Sequence, residues 1–83
     1  HSLDSPLLVE LFAWDEETFM ARTQGSAIRR IGHDRWLRNI AVALGNAPAS
    51  QQVTDALESR REHTSAMVRE HVEWALDRHA TTD

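Results

Sequence analysis

Apolar residues recur three and four positions apart along this chain, the period of amphipathic helices rather than the alternation of strands. The first stripe is Leu7, Leu8, Leu11 and Phe12, behind a start signal in which Ser5 caps and Pro6 takes the first helical position. Asp15, after Trp14, reads as a second N-cap, with Glu16 and Glu17 at the positive end of the helix dipole. That helix carries Phe19 and Met20 and is expected to stop at Gly25. Ser26 then caps a short turn through Ile28 and Ile31 that closes at Gly32. The clearest helix is predicted over residues 33–44, with Trp36, Leu37, Ile40, Ala43 and Leu44 on one side. Asp34, Arg35, Arg38, Asn39 and Asn46 fall opposite that stripe. Gly45-Asn46-Ala47-Pro48 is expected to end the helix. A fourth helix is predicted over residues 49–61, with Val53, Ala56 and Leu57 inward, and a last over residues 65–79, with Val68, Val72, Ala75 and Leu76 inward. The pattern specifies an all-α domain of four to five helices spanning residues 1–83.

Shifted by 32 positions, Trp36, Ile40, Ala43 and Leu44 superimpose on Val68, Val72, Ala75 and Leu76. Each of these helices follows a shorter, more polar one, the arrangement of α-solenoid hairpins. Two amphipathic helices can match this far by chance, so repeat and coincidence stand about level. Met67 and Trp74, seven apart beside His71 and Arg78, form a second strip on the last helix. Packing against the fourth helix is the expected cover for that strip, and docking on a neighbouring domain is the alternative.

Composition narrows the possible chemistry. The chain has 83 residues, no cysteine and a formal charge of −4, which allows one small domain stabilised by packing without disulfides. No thiol nucleophile or thiolate-held cluster can come from it. No apolar run reaches the length of a membrane span, and no secretory signal pattern opens the chain. All nine basic residues are arginine and they are unevenly placed. Residues 1–21 carry five acids and no base, whereas residues 22–38 carry five arginines against the single acid Asp34. A mildly acidic total thus conceals a basic segment. Guanidinium groups favour forked recognition of carboxylate or phosphate.

The stretch from Thr23 to Asn46 contains Gly25-Ser26-Ala27-Ile28-Arg29-Arg30-Ile31-Gly32 and, after it, Arg35-Trp36-Leu37-Arg38-Asn39 and Val42-Ala43-Leu44-Gly45-Asn46. It resembles the C-terminal region of epoxyqueuosine reductase, whose family shows a G-S-x-I-R-R-x-G…R-W-x-R-N-x-x-V-A-L-G-N pattern there. The upstream run Leu11 to Phe19 and the later run Ser65 to Leu76 are also similar to that family. The resemblance implies a HEAT-like helical domain, a C-terminal fragment of a cytoplasmic oxidoreductase that converts epoxyqueuosine to queuosine in transfer RNA. It implies that a cobalamin and two [4Fe–4S] clusters serve the parent chain and that none is held by this fragment. Its implied partners are the catalytic and ferredoxin-like domains of the same chain and the transfer RNA, with no membrane and a monomeric state. The fragment itself is expected to be non-catalytic.

The arginine segment is the main candidate site. Arg35, Arg38 and Asn39 share one helix face, and Arg29 and Arg30 lie in the turn feeding it. Those five residues are the candidate transfer-RNA contacts, because cationic donors suit phosphates. The competing reading pairs these arginines with Asp15, Glu16 and Glu17 to knit the domain together, leaving a purely structural or protein-interaction role. The sequence by itself favours that pairing, and the resemblance brings RNA or core-domain contact level with it. Met67, His71, Trp74 and Arg78 are the candidate domain-docking residues. Zinc needs three or four converging ligands, and the five histidines follow no ligand motif, so they are expected at the surface with no metal. Trp14 and Trp36 are expected in the core, leaving Trp74 as the open aromatic. No nucleophile motif or glycine-rich phosphate loop is present.

Overall fold

In a computed structural model that describes residues 4–80, the stripes become five α-helices and one short 3-10 helix, with no strand among the described residues. In chain order these are α1 (Ser5–Phe12), α2 (Glu16–Arg22), the 3-10 helix (Ala27–Ile31), α3 (Gly32–Asn46), α4 (Gln51–Glu58) and α5 (Ala66–Ala80). The chain is all-α.

Polar side chains set most of the starts. Asp15 accepts from the Thr18 amide at 2.8 Å and Ser26 from the Ile28 amide at 3.1 Å, as expected of N-caps. Ser50 and Ser65 do the same for Val53 and Val68 at 3.2 and 3.3 Å. At α1 the cap lies one residue earlier than expected. Asp4 accepts from the Leu7 amide at 3.1 Å, so Ser5 and Pro6 both fall inside the first turn, where proline forfeits no intrahelical bond.

Three ends also differ from the sequence pattern. α2 stops at Arg22, short of Gly25, and the buried Thr23 hydroxyl donates to the Phe19 carbonyl at 2.6 Å. α4 stops at Glu58 and continues only as turns. α3 runs past Leu44 through Gly45 and Asn46 instead of breaking there. Gly45 remains helical because its bare Cα is a packing surface. A Cβ there would stand 2.6 Å from Cζ3 of Trp74 and 3.0 Å from the Ala75 Cβ. The break comes at Ala47, whose extended backbone is the conformation a following proline demands.

The core is one cluster. Leu8 and Phe12 enter from α1, Leu37, Ile40, Ala41 and Leu44 from α3, Val53 and Leu57 from α4, and Val68, Val72 and Ala75 from α5. α3 and α5 are both 15 residues long and form the most extensive helix pair, with α1 and α4 packed along them. The two similar stripes therefore lie within one interface. The helices spread into a slab of 43 × 30 × 16 Å. At one end Phe19, wholly buried, anchors an aromatic group. Trp14 and Trp36 stack with centroids 5.5 Å apart, and Phe19 tilts against Trp36 at 5.3 Å. Trp14 and Trp36 are both half-buried, and the Trp36 indole N–H donates to the Leu11 carbonyl at 3.3 Å.

Candidate nucleic-acid interface

The basic segment is carried by the 3-10 helix and the first half of α3. Ser26 starts the 3-10 helix, and Gly32, at φ +85°, turns the chain from it into α3, a conformation glycine adopts without steric cost. Arg29 and Arg30 are exposed on that turn, beside a shallow depression formed with Met20, Gly25, Ser26 and Ala27. Ile28 and Ile31 flank them and are 45% and 37% exposed. Arg35 and Arg38 follow three residues apart on α3, the first exposed and the second half-buried. The Arg38 Nε donates to the Asn39 side-chain oxygen at 2.8 Å.

The expected pairing with the N-terminal acids does not form. Among the described residues, the ion pairs are Arg61 with Glu58 at 3.2 Å and Arg61 with Glu73 at 2.9 Å. Asp15 is occupied as the α2 cap, and the Thr18 amide and hydroxyl hold its carboxyl below the usual carboxylate range, with smaller contributions from His33 and Arg60. Glu16 and Glu17 are exposed first-turn residues. Arg29, Arg30 and Arg35 have no side-chain hydrogen bond or ion pair among the described residues, and Arg38 has only its neighbour Asn39. Arg22 differs, lying 5.9 Å over the Trp14 ring.

Arginines elsewhere bind backbone. The half-buried Arg60 donates to the carbonyls of Phe12 at 3.1 Å and Trp14 at 2.9 Å, closing the C-terminal end of α1. Arg69 donates to the His63 and Thr64 carbonyls at 2.6 and 3.0 Å. The sequence carries no motif that marks Arg60 for this role, because its partners come from the other end of the chain.

The candidate docking residues lie on the α3 side of α5. Trp74 is 40% exposed and its ring lies along α3 at Gly45, which corrects the expectation that α4 covers the strip. A shallow groove runs between Val42 of α3 and Glu70, His71 and Trp74 of α5. Met67 and His71 are half-buried, and His71 Nδ1 lies 2.8 Å from the Met67 carbonyl. Arg78 serves within the domain. Its Nε donates to the Gly45 carbonyl at 3.1 Å, and its guanidinium lies 5.2 Å from the Trp74 ring centroid. His79 Nε2 lies 2.7 Å from the Leu44 carbonyl, so two α5 side chains meet the open C-terminal carbonyls of α3.

The histidines are not simply surface groups. His33, His63, His71 and His79 are all half-buried, and each has a backbone hydrogen-bond partner. Ligand atoms of His33, Asp34 and His63 lie within 4.8 Å of one another. A [4Fe–4S] cluster would find no thiolate here, since the chain has no cysteine. Among the described residues, no helix is long and apolar enough to cross a membrane.

Fold and surface together define an all-α domain in which, among the described residues, Arg29, Arg30 and Arg35 are not paired with its acids. The chain is homologous, along nearly its whole length, to a segment of the epoxyqueuosine reductases. It is 60% identical to the epoxyqueuosine reductase of Pseudomonas aeruginosa over 82 residues, which are 99% of this chain and 23% of that protein. With the Xanthomonas campestris enzyme of that name it shares 65% identity over 79 residues, 95% of the chain and 22% of the relative. With that of Escherichia coli it shares 61% over 75 residues, 89% and 19% respectively. The chain thus spans about a fifth of the length of these curated relatives. No family model matches it, and no solved structure matches it.

Proposed function

We propose that this chain is the C-terminal, HEAT-like accessory domain of a cytoplasmic epoxyqueuosine reductase. Its role is to help hold the transfer RNA while the rest of the enzyme reduces epoxyqueuosine to queuosine. The cobalamin and the two [4Fe–4S] clusters belong to that remainder, and this domain contributes no reacting group. Arg29, Arg30, Arg35 and Arg38, with Asn39, form the RNA-facing surface. The observation that carries this reading is the unengaged state of Arg29, Arg30 and Arg35 among the described residues. A guanidinium held by a carboxylate or carbonyl has spent its donors, whereas these can still meet phosphate oxygens. The test is transfer-RNA binding by the full-length enzyme across a salt series. Replacing Arg29, Arg30 and Arg35 together with Ala should weaken binding and flatten its salt dependence, by about 0.7–0.9 in the log–log slope for each phosphate no longer neutralised. Unchanged affinity and slope, with the fold intact, would reject the assignment.

A second reading is supported by Trp74, which remains 40% exposed beside the α3–α5 groove. In this reading the groove receives the catalytic core of the longer chain. Trp74→Ala should then destabilise the full-length enzyme by more than it destabilises this domain by itself.

A further inference from the structure

His33 and Asp34 open α3, and His63 stands in the link between α4 and α5, so the fold assembles this trio from distant parts of the chain. His33 Nε2 lies 2.8 Å from the Trp14 carbonyl. A carbonyl can only accept, so that nitrogen is the donor, which in a neutral imidazole leaves the lone pair on Nδ1. Metal-ligating histidines are oriented in the same way, by giving their other ring N–H to a carbonyl or carboxylate. The ring is further fixed against Phe19, 5.7 Å away. Asp34 is exposed, and the His63 ring centroid lies 6.4 Å from that of His33.

We propose that His33, Asp34 and His63 form a binding site for a divalent transition-metal ion of the zinc class. The site joins the first turn of α3 to the α4–α5 link. Two imidazoles and a carboxylate are ordinary zinc ligands, and three protein ligands leave a position for water. Ligand atoms around a tetrahedral ion with bonds of about 2.0–2.2 Å are about 3.3–3.6 Å apart. The ligand atoms already lie within 4.8 Å of one another, on an exposed aspartate and two half-buried histidines.

Two features set the affinity below that of a closed structural site. The Ser65 amide donates to His63 Nδ1 at 3.0 Å, and neutral imidazole has one lone pair. The ion must therefore displace that amide or turn the ring. Arg60 and Arg69 also place positive charge near His63, opposed by Asp34.

The test is titration of Zn²⁺ into the 83-residue chain at neutral pH, followed by calorimetry and by thermal melting. Co²⁺ provides a visible-absorption readout of coordination. One ion per chain, a melting temperature that rises with Zn²⁺, and a tetrahedral Co²⁺ spectrum are expected. His63→Asn, which can still accept from the Ser65 amide, and Asp34→Asn should each weaken binding about tenfold or more. Both variants should leave the metal-free melting temperature nearly unchanged. No heat and no melting shift at a large excess of Zn²⁺ would overturn the site. Equal affinity in both variants would also overturn it, by moving the ion to other histidines.

Discussion

The arginines of the two halves of this domain are put to opposite uses. In the second half, Arg60 closes the C-terminal end of α1, Arg61 bridges Glu58 and Glu73, Arg69 gathers two link carbonyls, and Arg78 meets the end of α3. In the first half, Arg29, Arg30 and Arg35 form no ion pair among the described residues. The same side chain is a structural tie in one region and an unspent donor in the other. What separates the two is the neighbourhood. Arg60 reaches carbonyls left open by a helix end, and burial lowers its pKa against the opposing pull of Asp15. Arg29 and Arg30 are carried outward on a turn.

The strongest way to break this comparison is at Arg60. Arg60→Met keeps much of the aliphatic stem but removes the donors, leaving the Phe12 and Trp14 carbonyls without that partner. Hydrogen bonds from charged donors contribute about 1.5–3 kcal/mol, so a loss near the top of that range is expected in urea unfolding. A loss below about 0.5 kcal/mol, the ordinary range of surface substitutions, would erase the distinction between the two arginine sets.

The next effect is at the α3–α5 crossing. Gly45→Ala gains about 1 kcal/mol of helix propensity but meets Trp74 and Ala75 inside normal contact distance. Overpacking costs about 1–3 kcal/mol, so a net loss of about 1 kcal/mol is expected, or about 4–8 °C in Tm for a domain of this size. A gain in Tm would mean that the two helices part more easily than the packing indicates.

Helix existence and inward faces were legible because the chain repeats one period. Leu37, Ile40, Leu44, Val53, Leu57, Val68 and Val72 are buried where the stripes put them. Asp15 and Ser26 cap where the residue types indicate. The failures have a common cause. Gly45 resembled a stop signal, and only Trp74 and Ala75, thirty residues later, turn it into a helix contact. Arg60 and His33 both bind the Trp14 carbonyl, and a main-chain acceptor has no identity in a sequence. The opposite charges of the first 38 residues suggested ion pairs, but complementary charge along a chain does not set side-chain geometry.

The acids of the first half supply a smaller, pH-dependent test. Asp15 has its pKa lowered by the Thr18 bonds, so the folded state binds its proton less readily than the unfolded chain. Its contribution is fully present above the unfolded value of about 3.8 and fades as pH falls through the lower folded value. Asp15→Asn keeps a capping oxygen and removes the titration. Acid unfolding monitored by circular dichroism should show a shallower loss of stability below that pH in the variant, with little change at neutral pH. If instead Asp15→Asn also lowers stability at neutral pH and high salt abolishes the difference, the carboxylate is acting as a charge partner for the arginines rather than as a cap.

The smallest expected effect is the most discriminating. Arg29→Ala, Arg30→Ala and Arg35→Ala remove side chains that have no hydrogen bond or ion pair among the described residues. Each should change unfolding free energy by no more than about 0.5 kcal/mol. Added salt should not narrow that difference, since no attraction is there to be screened. If these substitutions reduced stability as much as Arg60→Met, the basic segment would be part of the domain's own scaffold and its claim on phosphate would fall. Stability that is indifferent to all three, measured beside weakened transfer-RNA binding by the full-length enzyme, separates the arginines that build this domain from those it presents.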